Sequence, residues 1–392
     1  MKDNNIMISE NAVMAKDWIL NSGIQNLPGP DAGGFNAWYD LEKGEHSYVY
    51  SEITGYGITT LLFLSKYFVG DFISRARLAA DWITKKAMHE CGGVKTRNYL
   101  LKMREAEHYS FESGNIYAFD NGMVLYGLVN LYKFSKDASY LKVASGIADF
   151  LIAKMLRSDG FFYAVYNPAT EETTDADWKW STQSGSYHAK LALGFTDLYE
   201  VTGKAKYKEI VLGLCSRSLK EQRSSGRFIT SRVDSSTHMH PHSYSAEGLL
   251  YAGLSFERED FIDSAVSATE WALDSQKKDG GIPKKFIGNK FIEYYRSDEM
   301  AQTLRLSLLL MSLGKIPGTK FKSLELLRKK LLEFQYAENG SQKGGFYYGQ
   351  TLTGDRPAHI NSWCTMFALQ ALVMFDGLNM DRGKTLDTEC LI

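Results

Sequence analysis

The 392-residue chain is predicted to be all-α, an (α/α)6 toroid (barrel) of six outer and six inner helices. Three observations predict it. A short glycine-centred pattern returns six times along the chain, the helix ahead of each copy is amphipathic, and the helix after it is apolar almost all round. Composition permits such a fold, because hydrophobic residues at 44% supply a large core and charged residues at 23% supply a polar exterior.

The copies are Gly33-Gly34-Phe35, Gly92-Gly93-Val94, Asp159-Gly160-Phe161, Gly226-Arg227-Phe228, Gly280-Gly281-Ile282 and Gly344-Gly345-Phe346. From Gly34 through Gly93, Gly160, Gly226 and Gly281 to Gly345 the steps are 59, 67, 66, 55 and 64 residues, room for two helices and their loops. Each unit therefore holds a helix pair.

Ahead of the markers, Ala15-Lys16-Asp17-Trp18, Ala79-Ala80-Asp81-Trp82, Ile147-Ala148-Asp149-Phe150 and Ala268-Thr269-Glu270-Trp271 repeat small, acidic and aromatic residues in one order. In the fifth of these helices Phe261, Ala265, Ala268 and Ala272 make one apolar stripe beside a charged face, the pattern of an outer helix. Trp18, Trp82 and Trp271 read as packing residues. Behind the markers, runs such as Leu61-Leu62-Phe63-Leu64 and Met366-Phe367-Ala368-Leu369 are buried on every side. Inner helices are expected near 51–68, 115–134, 184–202, 242–256, 297–313 and 361–376. Inner-to-outer connections are a few residues, as in Val69-Gly70-Asp71, whereas outer-to-inner connections are long, so the long loops gather at one mouth. One toroid domain over 1–377 with a C-terminal tail over 378–392 follows.

Charge excludes some partners. Lys and Arg number 45 against 46 Asp and Glu, for a formal net charge of −1, and no long basic run offers the phosphate-neutralising surface of a nucleic-acid binder. No apolar run reaches membrane-spanning length, and the N-terminus lacks a signal-peptide h-region, so no membrane partner and a cytoplasmic location are expected. Cys91, Cys215, Cys364 and Cys390 lack CxxC spacing and read as thiols of a reducing compartment. No cofactor or metal is expected: His238-Met239-His240-Pro241-His242 brings imidazoles together without an acidic or thiolate ligand inside the motif.

The polar residues point to the mouth, where loops on a rigid scaffold carry function. All eight histidines are placed there: His46, His89, His108, His188, His238, His240, His242 and His359. Glu52, Asp120, Asp175, Asp177, Glu247, Asp298 and Glu299 mark the same rim. Acids at helix starts also serve as caps and dipole partners. Asp120 and Glu247, however, lie inside apolar helical sequence, where a carboxylate is costly unless paired or functional. Tyr56, Trp178, Trp180, Tyr244, Tyr295 and Trp363 interleave with them. A flat apolar face beside hydrogen-bonding groups suits a sugar ring, so a carbohydrate is the expected substrate.

With this plan the whole chain resembles the six-hairpin superfamily, which holds glycoside hydrolases, sugar epimerases and lyases. It is similar to the unsaturated glucuronyl hydrolases in placing Asp120 near the start of the second inner helix and Asp177, followed by Trp178-Lys179-Trp180, before the third. Their Trp-Arg-Gly-Asn-Gly-Trp segment is replaced here by Trp180-Ser181-Thr182-Gln183-Ser184-Gly185-Ser186-Tyr187-His188. The resemblance implies hydrolysis of an oligosaccharide or uronic-acid-containing glycan by two carboxylates, Asp120 and Asp177. It also implies an alternative, epimerisation or lyase chemistry by paired histidines, for which His188 and His242 are the candidates and Arg296 or Arg305 the carboxylate holder. Glu52, Tyr56, Trp178, Trp180, Tyr244, Glu247, Tyr295, Arg296, Asp298, His359 and Trp363 are the expected substrate-binding residues. A non-catalytic glycan binder would need the aromatics without the converging acids and histidines, and a toroid akin to the prenyltransferases would hold zinc through Asp, Cys and His, whereas Ser362-Trp363-Cys364-Thr365 lacks the supporting Asp-x-Cys arrangement.

Overall fold

The computed structural model describes residues 7–98, 114–176, 180–381 and 383–392. Outer helices are α1 (Glu10–Asn21), α3 (Phe72–Trp82), α5 (Ala138–Phe150), α7 (Ala205–Leu219), α9 (Glu259–Asp274) and α11 (Phe321–Leu332). Inner helices are α2 (Ser51–Ser65), α4 (Ala118–Ser135), α6 (Ala192–Thr202), α8 (Met239–Phe256), α10 (Ser297–Ser312) and α12 (Ser362–Met380), and a 3-10 turn at Ser186–Leu191 leads into α6. The expected α-toroid is present. The stripe of α9 is buried at Phe261, Ala265, Ala268 and Ala272, whereas α12 is buried from Cys364 through Leu378.

The glycine repeat closes the ring. Gly33 has φ +100°, and a Cβ there would stand 2.0 Å from the Leu78 carbonyl oxygen of the next outer helix; Gly344, at φ +94°, meets Met14 of α1 at 2.2 Å. Only glycine combines that conformation with so close an approach. Sixth unit and first are thereby locked together. The second glycine makes room for the aromatic of the same outer helix: Trp82 lies over Gly34, Phe150 over Gly93 and Trp18 over Gly345. Glutamines staple the same joint, Gln25 to the Arg75 carbonyl, Gln222 to Ser264, Gln276 to Ser323 and Gln335 to Asn11.

A third contact recurs inward. The backbone N–H after the glycine pair donates to the fourth residue of the following inner helix: Phe35 to Thr54, Val94 to Asn121, Phe228 to His242 and Phe346 to Thr365. The long loops add short strands that the helical reading did not anticipate. Trp38–Asp40, for example, pairs antiparallel with His359–Asn361, joining first and last units.

The segment after α12 is not a loose tail. It enters the ring from the inner-helix ends remote from the mouth, and Leu386, Cys390, Leu391 and Ile392 are buried. Gln370 donates to the Cys390 carbonyl (2.7 Å), Leu391 N–H to the Tyr126 hydroxyl (3.1 Å) and Lys190 Nζ to the main-chain oxygen of Ile392 (2.9 Å). The axial space below the mouth is thus filled by the chain's own backbone.

Candidate active site

The mouth is built from equivalent positions of the six inner helices. Their second residues are Glu52, Phe119, His240, Asp298 and Trp363, with Tyr187 in the 3-10 turn of the third unit. All are polar or aromatic. Glu52, Phe119, His240 and Trp363 line one cavity of about 110 Å³, together with the residues just before three of the helices, Tyr50, Tyr117 and Arg296. Asp120, Trp180 and Tyr348 complete its wall.

Two acid groups, one base and one cation pair define its chemistry. Glu52 and Asp120 come from neighbouring helices, and the Tyr50 hydroxyl lies 3.4 Å from Asp120 Oδ1. Arg296 grips Asp298 with a two-point fork through Nε (3.0 Å) and Nη2, and its guanidinium lies 4.2 Å from the centre of the Tyr348 ring. Asp298 also accepts from the Trp363 indole (3.0 Å) and the Glu299 backbone (2.9 Å). Burial pushes the Asp298 carboxyl up, but Arg296, His240 and the indole prevail and hold it below the usual range. Next to it Glu299 is driven by burial up to about 8 and is a neutral acid at pH 7. His240 Nδ1 lies 2.7 Å from Gln302 Oε1 and 3.4 Å from Asp298 Oδ2; burial lowers this imidazole to about 4.

The other expected site residues distribute in three ways. Asp177 and Trp178 lie outside the described residues. Close below or beside the cavity, Tyr56 and Tyr244 share a hydroxyl–hydroxyl bond of 2.9 Å, and Tyr244 stacks against Phe119 and His240. His359 stands between Trp38 and the cavity residue Tyr348. The remainder do not line it. His188 packs against Tyr187 and Phe162. His242 points outward, accepting from Phe228 N–H at Nδ1 (3.3 Å) and donating from Nε2 to the Ala268 carbonyl (2.9 Å). Tyr295 covers Gly281 and bonds Asp279. Glu247 is fully buried and pairs with Lys190 (2.5 Å) and Arg305, so Arg305 holds an internal carboxylate rather than a ligand.

His240 is the residue that the sequence reading passed over as a catalytic base. The repeat contained the signal: His242 is the fourth residue of its helix, equivalent to Thr54, Asn121 and Thr365, whereas His240 is the second, equivalent to Glu52 and Trp363. The three histidines of the HxHxH run therefore diverge. Among the described residues, no group of three His, Cys, Asp or Glu side chains is arranged to hold a metal ion.

Buried neutral histidines make the fold acid-sensitive. Burial lowers His188 and His238 to about 3 and His240, His242 and His359 to about 4, from 6.5. The unfolded chain takes up these protons first, so stability is full above pH 6.5 and falls toward pH 4, by about 1.4 kcal/mol per pH unit per fully buried histidine. Glu299 and Asp197, raised by burial to about 8 and about 6, act oppositely, losing stability as pH rises through those values. Five groups against two leave a net loss on acidification. Melting temperatures at pH 7, 6 and 5 should drop progressively; a flat profile would contradict the neutral-histidine assignment.

Comparison with known proteins agrees with this architecture. The model of glycosyl hydrolase family 47 matches residues 104–255. Among solved structures, the cellobiose 2-epimerase of Bacillus thermoamylovorans B4167 superposes with a TM-score of 0.74 at 12% identity, covering 92% of this chain and 98% of that one. The cellobiose 2-epimerase of Spirochaeta thermophila DSM 6192 gives 0.74 at 14%, covering 95% and 96%. The chain has the fold of an (α/α)6 toroid. The unsaturated glucuronyl hydrolase of Bacillus sp. GL1 shares the fold as well, with a TM-score of 0.65 at 16% identity over 95% of this chain and 98% of that chain. No curated protein matches in sequence. At these identities the likeness is one of fold, so the choice of reaction rests on the cavity itself.

Proposed function

We propose that this toroid is a carbohydrate-active enzyme, a glycoside hydrolase that accommodates one sugar residue of an oligosaccharide in the mouth cavity. The observation that carries this reading is the meeting of Asp120, Glu52 and His240 in a single cavity walled by Trp180, Trp363 and Tyr348. Hydrolysis of a glycosidic bond needs a proton for the leaving oxygen and a second group to activate water or attack the anomeric carbon. Asp120 is assigned the first role and Glu52 the second. The aromatic walls suit the C–H faces of a pyranose. Arg296, with Nε and Nη2 taken by Asp298, keeps Nη1 for a substrate hydroxyl or carboxylate.

A second reading, epimerisation beside a sugar carbonyl, is favoured by His240, a neutral imidazole in the same cavity. One experiment separates the two. Neutral oligosaccharides and saturated and unsaturated uronides are incubated with the protein in deuterated water. Cleavage supports hydrolysis, and deuterium on carbon without cleavage supports epimerisation. Tight binding without either would make the protein a glycan binder and sink both readings.

A further inference from the structure

We propose that Gln302 is the positioning residue of His240, fixing the imidazole proton on Nδ1 so that the Nε2 lone pair serves the cavity as a base. This rests on the reading that sugar chemistry takes place there, but the tautomer itself is a property of the resting protein.

The geometry supplies the argument. Gln302 and His240 are both buried, and Gln302 Oε1 lies 2.7 Å from Nδ1. Asp298 Oδ2 lies 3.4 Å from the same nitrogen. Two acceptors converging on one ring nitrogen require the hydrogen there, and a ring with one hydrogen then has its lone pair on Nε2. Among the described residues Nε2 has no hydrogen-bond partner, and His240 lines the cavity. Asp298 is the poorer orienting group, because its oxygens already serve the Arg296 fork, the Trp363 indole and the Glu299 N–H.

The choice of an amide matters for proton transfer. A carboxylate on Nδ1 raises an imidazole toward the charged form, in which Nε2 carries a proton and accepts nothing. A neutral carbonyl oxygen orients the ring while favouring the charged form less than a carboxylate bonded in the same place would. Among the surrounding groups Asp298 favours the imidazolium, Arg296 and Lys190 oppose it, Glu299 is neutral at pH 7 and Tyr244 is an uncharged phenol, and burial tips the balance to the neutral ring. The side chain of His240 is thus held in its neutral form, with Nε2 as the nitrogen that can accept a proton from water or from a carbon beside a carbonyl.

Long-range 1H–15N correlation spectra of histidine-labelled full-length protein read the tautomer directly. The expected pattern for His240, assigned by its loss in His240→Gln, is protonated Nδ1 and unprotonated Nε2 at pH 7. In Gln302→Glu its titration midpoint rises by about one pH unit or more, and the acid limb of kcat/KM moves with it. In Gln302→Leu turnover falls by roughly tenfold or more, with the loss in kcat rather than KM. A wild-type Nε2–H tautomer, which the reverse amide orientation would produce, overturns the proposal, as does a midpoint unmoved in Gln302→Glu. If the tautomer and shift are found while no sugar is turned over, the positioning stands and the proposed function fails.

Discussion

Replacing Asp120 by Asn is expected to lower turnover of a competent glycoside by roughly 10²- to 10⁴-fold, the loss typical of removing a general acid. Asn keeps the shape of the side chain and an oxygen for the Tyr50 hydroxyl, so packing at the third residue of α4 is preserved. What it removes is the transferable proton. The deficit should therefore fall on kcat, with KM changed little and the melting temperature within a few degrees of wild type. A substrate with a leaving group that needs no protonation, such as an activated aryl glycoside, should lose much less, since the acid assists departure of the glycosidic oxygen. Full turnover of an unactivated substrate by Asp120→Asn would remove this residue from the chemistry and leave Glu52 and His240 as the remaining cavity groups able to move a proton.

The fold was legible because its signals are local and repeated. The positive-φ glycine and the inner helix buried on nearly every side are each written six times, and period and burial pattern together leave little choice. Five inner-helix starts lie within three residues of expectation, whereas the third, expected from 184, opens as a 3-10 turn at Ser186–Leu191 and becomes α-helical only at Ala192. The site was legible only in part. Glu52, Asp120, Trp180, Arg296 and Trp363 line the cavity, but a histidine near a helix start has two possible directions, and composition does not choose between them. His242 and His240 are two residues apart, which on a helix turns one toward the neighbouring outer helix and the other toward the axis. Counting from the helix start in each repeat would have separated them. Glu247 misled for another reason: a carboxylate in apolar sequence marks either a site or an internal ion pair, and its partners Lys190 and Arg305 are distant in sequence.

That ion cluster carries the second large effect. Glu247→Gln should destabilise the protein by about 3–5 kcal/mol, the range for stripping one partner from a buried charge pair. Lys190 and Arg305 are both fully buried, and Glu247 is the carboxylate between them. Their other contacts are the Ile392 main-chain oxygen, the Gln370 side chain (2.8 Å from Arg305) and the rings of Tyr244 and Tyr56 at 5.1 and 5.8 Å from Lys190. The Gln370 amide and the two rings do not replace a full negative charge. For a chain of this size the loss corresponds to a fall of roughly 5 °C in melting temperature. Replacing the trio together, Lys190→Met with Glu247→Leu and Arg305→Met, should recover much of it, because the three buried charges are removed at once. Activity follows by a mechanical route, since Lys190 supports Tyr244, and Tyr244 packs on Phe119 and His240 of the cavity. Unchanged melting with weakened substrate binding in Glu247→Gln would instead place this carboxylate in the binding site.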